Sequence, residues 1–307
     1  MSASPASCRV ALACCEETPA GAPDDAPLAA ALARAGASVT HTRWDDGAVD
    51  WASFDVVVIR STWDYHLRAD DFLAWGERVS GVTNLANPRA LVRWNADKRY
   101  LVDLEDAGVA ITPTVVVEAD GGDSIEGIVG ARGWDRFVVK PTVSATAFGT
   151  ERFASSDTDR AARHLAALLE RGPALVQRYE PAIERDGERS VMVIGGHVTH
   201  CVVKRPKFGD FRCQSDFGGT VEATALRDAD VDLALRAVAA APVAPRYARV
   251  DVIDTPDGVR LMELECIEPE LFFRLSEDAV ARMVDALTRS PERELGDTRT
   301  LTQQSDD

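Results

Sequence analysis

Residues 261–273 read LMELECIEPELFF. Glu263 and Glu265 stand two positions apart in a run that is otherwise mostly apolar. Side chains alternate across a strand, so both carboxylates share one face. Upstream, YARVDVI (247–253) reads as a second apolar strand with a single acid, Asp251, and DTPDG (254–258) between the two carries turn chemistry. A hairpin with a three-residue loop at Pro256–Gly258 sets Asp251 opposite Glu263, and three carboxylates then meet on one face. Buried carboxylates are costly without compensation, so such a cluster demands cations. Hard oxygen ligands that leave room for waters and phosphates suit Mg²⁺ better than zinc. The competing reading is a structural salt bridge to Arg246, Arg249 or Arg260.

The chain around this hairpin has 307 residues, a length for two or three domains, with an ordinary globular 46% of hydrophobic residues. Its formal net charge of -16 argues against nucleic acid and anionic membrane surfaces as partners. The six cysteines show no zinc-like spacing and read as reduced core thiols. MSASPASCRV lacks the pattern of a signal peptide and no apolar run has transmembrane length, so a cytoplasmic protein is expected.

CRVALACC (8–15), ASVTHTRW (37–44) and FDVVVIR (54–60) read as strands, with helices over 27–36 and 70–80. That order implies a small Rossmann-like parallel α/β domain over 1–92. NPRALVRWNADKRYLVDLEDAG (87–108) keeps helical spacing throughout. Strands at 111–117, 134–141 and 173–181 and helices near 123–131 and 157–171 give a central unit, 93–178. Strands at 189–194, 198–204, 247–254 and the quoted segment, with helices at 228–241 and 276–289, give a third, 179–289. The polar tail 290–307 is expected to be disordered.

Two lysines and a loop extend the chemistry. Lys98 lies in RWNADKRYL, expected on a helix. Lys140 closes the apolar strand WDRFVVKP and is followed by the small-residue loop TVSATAFGT (142–150). A lysine there neutralises oxyanions, and the loop's backbone N–H groups, around Ser144, can close over them. No Walker A motif is present. VVKRPKFGDFRCQSDFGG (202–219) adds Lys204 and Arg212 in a basic, glycine-punctuated loop. Read singly, Lys98 or Lys140 is more simply a solvated surface charge, and the basic loop a mobile surface hairpin.

In this order, the terminal lysine, small-residue loop, VQRYEPAI, basic loop and Asp…Glu-x-Glu resemble the ATP-grasp superfamily over about 93–290. The resemblance implies an ATP-grasp fold, α/β and α+β, preceded by the small parallel domain. It implies ATP as nucleotide and two Mg²⁺ ions, with Mn²⁺ as a substitute. Lys98 and Lys140 take the place of phosphate lysines. Gln177, Arg178, Tyr179 and Glu180 match the strand whose backbone reads adenine, and Glu188 an acid near the ribose. Lys204 and Arg212 match basic residues that hold phosphate or the acyl-phosphate, and Asp251, Glu263 and Glu265 match the metal triad. Many relatives carry Glu-x-Asn at the last two ligand positions. Here it is Glu-x-Glu.

Within the superfamily, RSTWDYH (60–66), RWNADKRYL, GERSVMVIGG and LMELECIEPELFF resemble the group containing the O-ureido-D-serine cyclo-ligase of D-cycloserine biosynthesis. RSTWDY follows an apolar strand, where ligands of open α/β sheets gather. Arg60 then grips the carboxylate of a small amino-acid-like substrate and Ser61, Thr62, Asp64 and Tyr65 orient an amine, while Glu268 stands where relatives carry a small hydroxyl residue at a nearby substrate contact. The competing reading places Arg60 in a salt bridge and Trp63 as a core anchor. The implied activity is acyl-phosphate formation with release of ADP and phosphate, followed by attack of an amine. Lys98, Lys140 and Lys204 offset phosphate charge while Arg212 stabilises the tetrahedral intermediate. The alternatives are a ligase joining an amino acid to a separate amine, and a non-catalytic ATP-binding regulator. A homodimer is the ordinary prior for such a chain.

Overall fold

The computed structural model describes residues 8–213 and 217–288. The tail from Ser290, expected to be disordered, lies outside them.

Four parallel strands open the fold: β1 (Arg9–Cys14), β2 (Ser38–Arg43), β3 (Val56–Ser61) and β4 (Asn84–Ala86), in the order β2-β1-β3-β4. α1 (Ala26–Arg34) and α2 (Ala69–Ser80) bury opposite faces, which is why β1 and β3 are apolar at almost every position. β4 has only three residues and was not legible as a strand.

A second sheet contains β5 (Thr114–Val117), β6 (Arg136–Pro141), β7 (Glu151–Ala154) and β8 (Ala174–Arg178), antiparallel in the order β5-β8-β6-β7. Helices at Ile125–Arg132 and Thr158–Leu169 cover one face, burying Phe137, Val139 and Val176. Alternation turns Val138, Lys140 and Gln177 to the other face, where they line a cleft.

The third sheet is antiparallel: β9 (Glu188–Ile194), β10 (His197–Arg205), β11 (Thr220–Thr224), β12 (Tyr247–Thr255) and β13 (Gly258–Glu265), ordered β11-β10-β9-β12-β13. One face packs Val191, Val250 and Leu264 against the helix Asp228–Ala239. The opposite face divides along its length. Met192, Ile194 and Tyr247 are buried with residues of β1 and β3, and Glu188, Ser190 and Asp251 continue the same face into the cleft.

Three details differ from expectation. The helical stretch 87–108 breaks: helices Arg89–Asn95 and Tyr100–Asp106 flank a turn that carries Lys98. Its backbone N–H donates to the Thr142 carbonyl at 2.8 Å, tying the turn to the small-residue loop. The segment from 93 to 112, expected in the central unit, packs on the third sheet. Tyr100, Leu101 and Leu104 share its core, and Ile111 bridges to Leu261. Finally, the hairpin loop is shorter than expected. Thr255 pairs with Gly258 across two residues, and a bulge at Met262, between Asp251 and Val252 of the facing strand, shifts the ladder from Val252↔Leu261 to Asp251↔Glu263. The expected pairing of the two acids is reached through this bulge. It sends Leu261 and Leu264 both into the core while Met262 and Glu263 both line the cleft.

Gly187, at φ +82°, makes the corner before β9. A Cβ there would lie 2.6 Å from the Lys204 carbonyl oxygen. Gly187→Ala is therefore expected to destabilise the chain by at least about 1–3 kcal/mol through left-handed strain alone. Thermal unfolding measures this, with a lowered melting temperature as the outcome.

Candidate active site

The cleft between the second and third sheets has a cavity of about 310 Å³. Its floor is the hairpin. Asp251, Glu263 and Glu265 offer oxygens that all lie within 4.8 Å of one another. Three hard anionic donors at that spacing suit a divalent cation with open positions for water and phosphate. The same carboxylates are also ion-paired, so the two sequence readings hold together. Arg249 Nε and Nη2 reach Asp251 at 3.0 and 2.9 Å, and Nη2 also contacts Glu265. Arg246 and Arg260 turn elsewhere, to the main-chain carbonyls of Ala286 and Ile111.

Lys204 leaves β10 between two acids, 3.0 Å from Glu188 and 2.9 Å from Asp251. The Ser190 hydroxyl donates to Asp251 at 2.5 Å. Although burial opposes ionisation, Arg249 and Lys204 hold Asp251 well below the usual carboxylate range. Glu188 and Glu265 go the other way: burial pushes each up to about 7, against the pull of Lys204 and Arg249 respectively. Glu268 rises to about 8 through burial and the nearby Glu265.

Lys98 and Lys140 meet the triad from the opposite wall. Lys98 Nζ lies 3.3 Å from Glu263 and 2.6 Å from the Ser144 carbonyl. Lys140 Nζ lies 3.2 Å from Gln177 Oε1, and burial lowers its pKa although Glu263 opposes the shift. Gln177 in turn donates to Thr114 at 2.9 Å. A cation inside a cleft, held by one neutral acceptor, is poised for an anion.

The expected adenine strand is partly committed to internal bonds. The Tyr179 N–H reaches the Arg136 carbonyl, the Glu180 carbonyl accepts from Ile183, and Arg178 pairs with Glu180 at 2.7 Å. Beside it, Val138, Ile183, Phe211 and Met262 form an apolar slot fit for a flat ring. Arg212 lines the cleft, but its guanidinium is held by Asp210 at 2.8 Å and stacks over Phe217.

The RSTWDY stretch divides. Arg60 is fully buried, 2.8 Å from Asp25 and 3.0 Å from the Pro269 carbonyl, which is the salt-bridge reading rather than a free grip on substrate. Asp64 is likewise engaged, by Trp44 and Arg68. Tyr65 packs in the core with one edge on the cleft. Trp63, read as a possible core anchor, lines the cleft. The hydroxyls of Ser61 and Thr62 are buried, and neither has a partner among the described residues.

From the sequence, Arg249 is expected only as a structural partner of the acids. Arg249 and Asp251 alternate onto the same face of β12, and that spacing was the available signal. Asn95 was missed. It reaches from the end of its helix to the main chain at Leu264 and Cys266, fixing the strand end that carries Glu265.

A family model of the RimK-like ATP-grasp domain matches residues 124–281, and one of the N-terminal domain of D-cycloserine synthetase DcsG matches 10–87. The fold also matches a D-alanine–D-alanine ligase from Bacillus anthracis complexed with ATP (TM-score 0.68, 14% identity, 95% of this chain, 100% of that one). Fold and family define the class: an ATP-grasp, ADP-forming carboxylate–amine ligase that uses ATP with a divalent metal. The cycloserine biosynthesis protein DcsG of Streptomyces lavendulae is 38% identical over 286 residues, covering 86% of this chain and 92% of that protein. The crystal structure of D-cycloserine synthetase DcsG superposes with a TM-score of 0.82 at 33% identity, covering 91% of this chain and 98% of that one. The chain belongs to the DcsG family of ATP-grasp ligases. A glutathione synthetase from Prochlorococcus marinus is more distant, at 30% identity over 64% of this chain and 65% of that protein. Among the described residues, no helix is long and apolar enough to cross a membrane.

Proposed function

We propose that this ligase activates the carboxylate of O-ureido-D-serine as an acyl-phosphate and closes it onto the nitrogen bonded to the side-chain oxygen of the same molecule, displacing phosphate; hydrolysis of the carbamoyl group from that nitrogen, consuming one water and releasing carbon dioxide and ammonia, leaves the five-membered ring of D-cycloserine. The observation that carries this reading is the convergence of Asp251, Glu263, Glu265 and Arg249 with Lys98, Lys140 and Lys204 in one cleft, in a chain related to DcsG over most of its length.

A carboxylate is a poor electrophile, and phosphorylation by ATP supplies a leaving group. Asp251, Glu263 and Glu265 would hold Mg²⁺, two ions in this reading, which neutralises charge on the nucleotide phosphates. Lys98 and Lys140 enter from the opposite wall and offset the remaining phosphate charge. Val138, Ile183, Phe211 and Met262 receive the adenine, and Glu188 stands on the ribose side. Arg249, which contacts Asp251 and Glu265 at the cleft floor, would stabilise the oxyanion at the reacting carboxyl, the role expected of Arg212. Catalysis is then positioning and preorganised charge, with no covalent enzyme intermediate. The loop 142–150, tied to Lys98 through Thr142 and Ser144, keeps water from the acyl-phosphate.

The test is product analysis. Protein with Mg²⁺ and ATP should release ADP and phosphate in step with D-cycloserine when given O-ureido-D-serine, and not with an added amine and plain D-serine. AMP and pyrophosphate would overturn the acyl-phosphate route. ADP release that requires a second amino compound would favour intermolecular ligation, the activity named by the glutathione synthetase relatives.

A further inference from the structure

Next to the main cleft, Ala22, Asp24, Ser61, Glu268, Pro269 and Glu270 surround a small recess, and Trp63, Glu268 and Glu270 line both spaces. Its volume of about 10 Å³ admits a single water-sized group. The walls are acidic. Asp24, Asp25 and Glu270 contribute carboxylates, and Glu268, raised to about 8, a carboxyl group. The nearby arginines answer only some of the oxygens: Arg60 is paired with Asp25, and Arg274 with Asp24 Oδ1 and with Glu270. Asp24 Oδ2 and the Ser61 hydroxyl are buried, and neither has a hydrogen-bond partner among the described residues.

A buried carboxylate oxygen left without a donor is costly, and so is a buried hydroxyl. Both accept hydrogen bonds. The group that satisfies two acceptors in an acidic, water-sized recess is a compact cation with several N–H donors, and a primary ammonium has three such donors and no acceptor. The recess and the cleft are joined through Trp63, Glu268 and Glu270, which line both. Because the two spaces are joined, a small molecule held in the cleft can place its ammonium in the recess. We propose that this recess binds the α-ammonium of the substrate through Asp24 and Ser61, and so selects α-amino acids with a free amino group. This rests on the functional reading above. Acetylation of the amine removes the charge and adds atoms that the recess has no room for, so N-acyl amino acids are excluded.

Calorimetric titration of the full chain, loaded with Mg²⁺ and ADP, tests the recess without requiring turnover. The probes are O-ureido-D-serine and its des-amino analogue, 3-(ureidooxy)propanoate. Asp24→Asn is expected to weaken O-ureido-D-serine binding by on the order of 10- to 100-fold, the range for a hydrogen bond to a charged group. Ser61→Ala should weaken it by about 2- to 10-fold. Its melting temperature should stay level or rise, because the deleted hydroxyl has no partner to lose. The des-amino analogue should bind the wild type weakly and be indifferent to both substitutions. Equal losses for both compounds, or no loss for the amino compound, overturn the recess. So does a wild type that binds none of O-ureido-D-serine, D-serine and D-alanine. ADP release is read separately. Binding discrimination without ADP release refutes the ligation chemistry and leaves the recess standing.

Discussion

Glu263→Gln lowers ADP-forming turnover by on the order of 10³, the cost of removing one preorganised charge contact at a reacting phosphate, while the protein stays folded. The amide keeps the size of the side chain and removes its charge. Glu263 is the member of the triad that faces both walls of the cleft. It pairs with Asp251 across the hairpin and lies 3.3 Å from Lys98. Despite burial, Lys98 and Lys140 together hold its carboxyl below the usual range, so it is ionised at neutral pH. A neutral oxygen at this position is a poorer ligand for a hard cation. Stability changes little, because Lys98 keeps its bond to the Ser144 carbonyl and the side chain of Glu263 is 29% exposed. ADP release at saturating substrate and a thermal melt, run on the same preparation, check both halves. Turnover equal to wild type would overturn the metal assignment. Turnover that recovers only at raised Mg²⁺ would support it.

The hairpin acids were legible because strand alternation is a two-residue rule and Glu-Leu-Glu obeys it. The bulge was not, since a three-residue loop and a two-residue loop with one bulged residue pair the same two acids. Only burial separates them: Leu261 is fully buried and Met262 is on the cleft. Lys140 was legible from its place at the end of an apolar strand. The position of Lys98 was misread because RWNADKRYL contains neither proline nor glycine, and its helical spacing continues across the turn at 96–99. That turn is fixed by the distant Thr142 carbonyl, which no local pattern reports. Arg60 shows the same limit. Its partner Asp25 lies 35 residues away, in a single 3-10 turn ahead of α1 that carries no motif, so a conspicuous arginine after a strand could not be told from a structural one. The short strands β4, β7 and β11 carry too few residues to show a period and exist through their neighbours.

Arg249→Met separates what this arginine does for the fold from what it does for the reaction. The guanidinium contacts the buried Asp251 through two nitrogens and also reaches Glu265. Without it, Asp251 retains Lys204 and Ser190. Glu265 loses its ion-pair partner and still faces the other two acids. Breaking a buried pair from one side costs about 3–5 kcal/mol. For a chain of this size that lowers the melting temperature by on the order of 10 °C in metal-free buffer. Mg²⁺ is expected to narrow the gap, because the same oxygens can then be neutralised by the ion, and any ligand of the folded state raises its stability by mass action. Millimolar Mg²⁺ should therefore raise the melting temperature of the variant more than that of the wild type. Turnover behaves differently. The ion cannot replace a cation facing the reacting carboxyl, so ADP release should remain about 10³-fold down even at saturating Mg²⁺. Recovery of both stability and turnover would reduce Arg249 to a structural counter-charge. A stability gap that ignores Mg²⁺ would mean that the three carboxylates do not hold the ion.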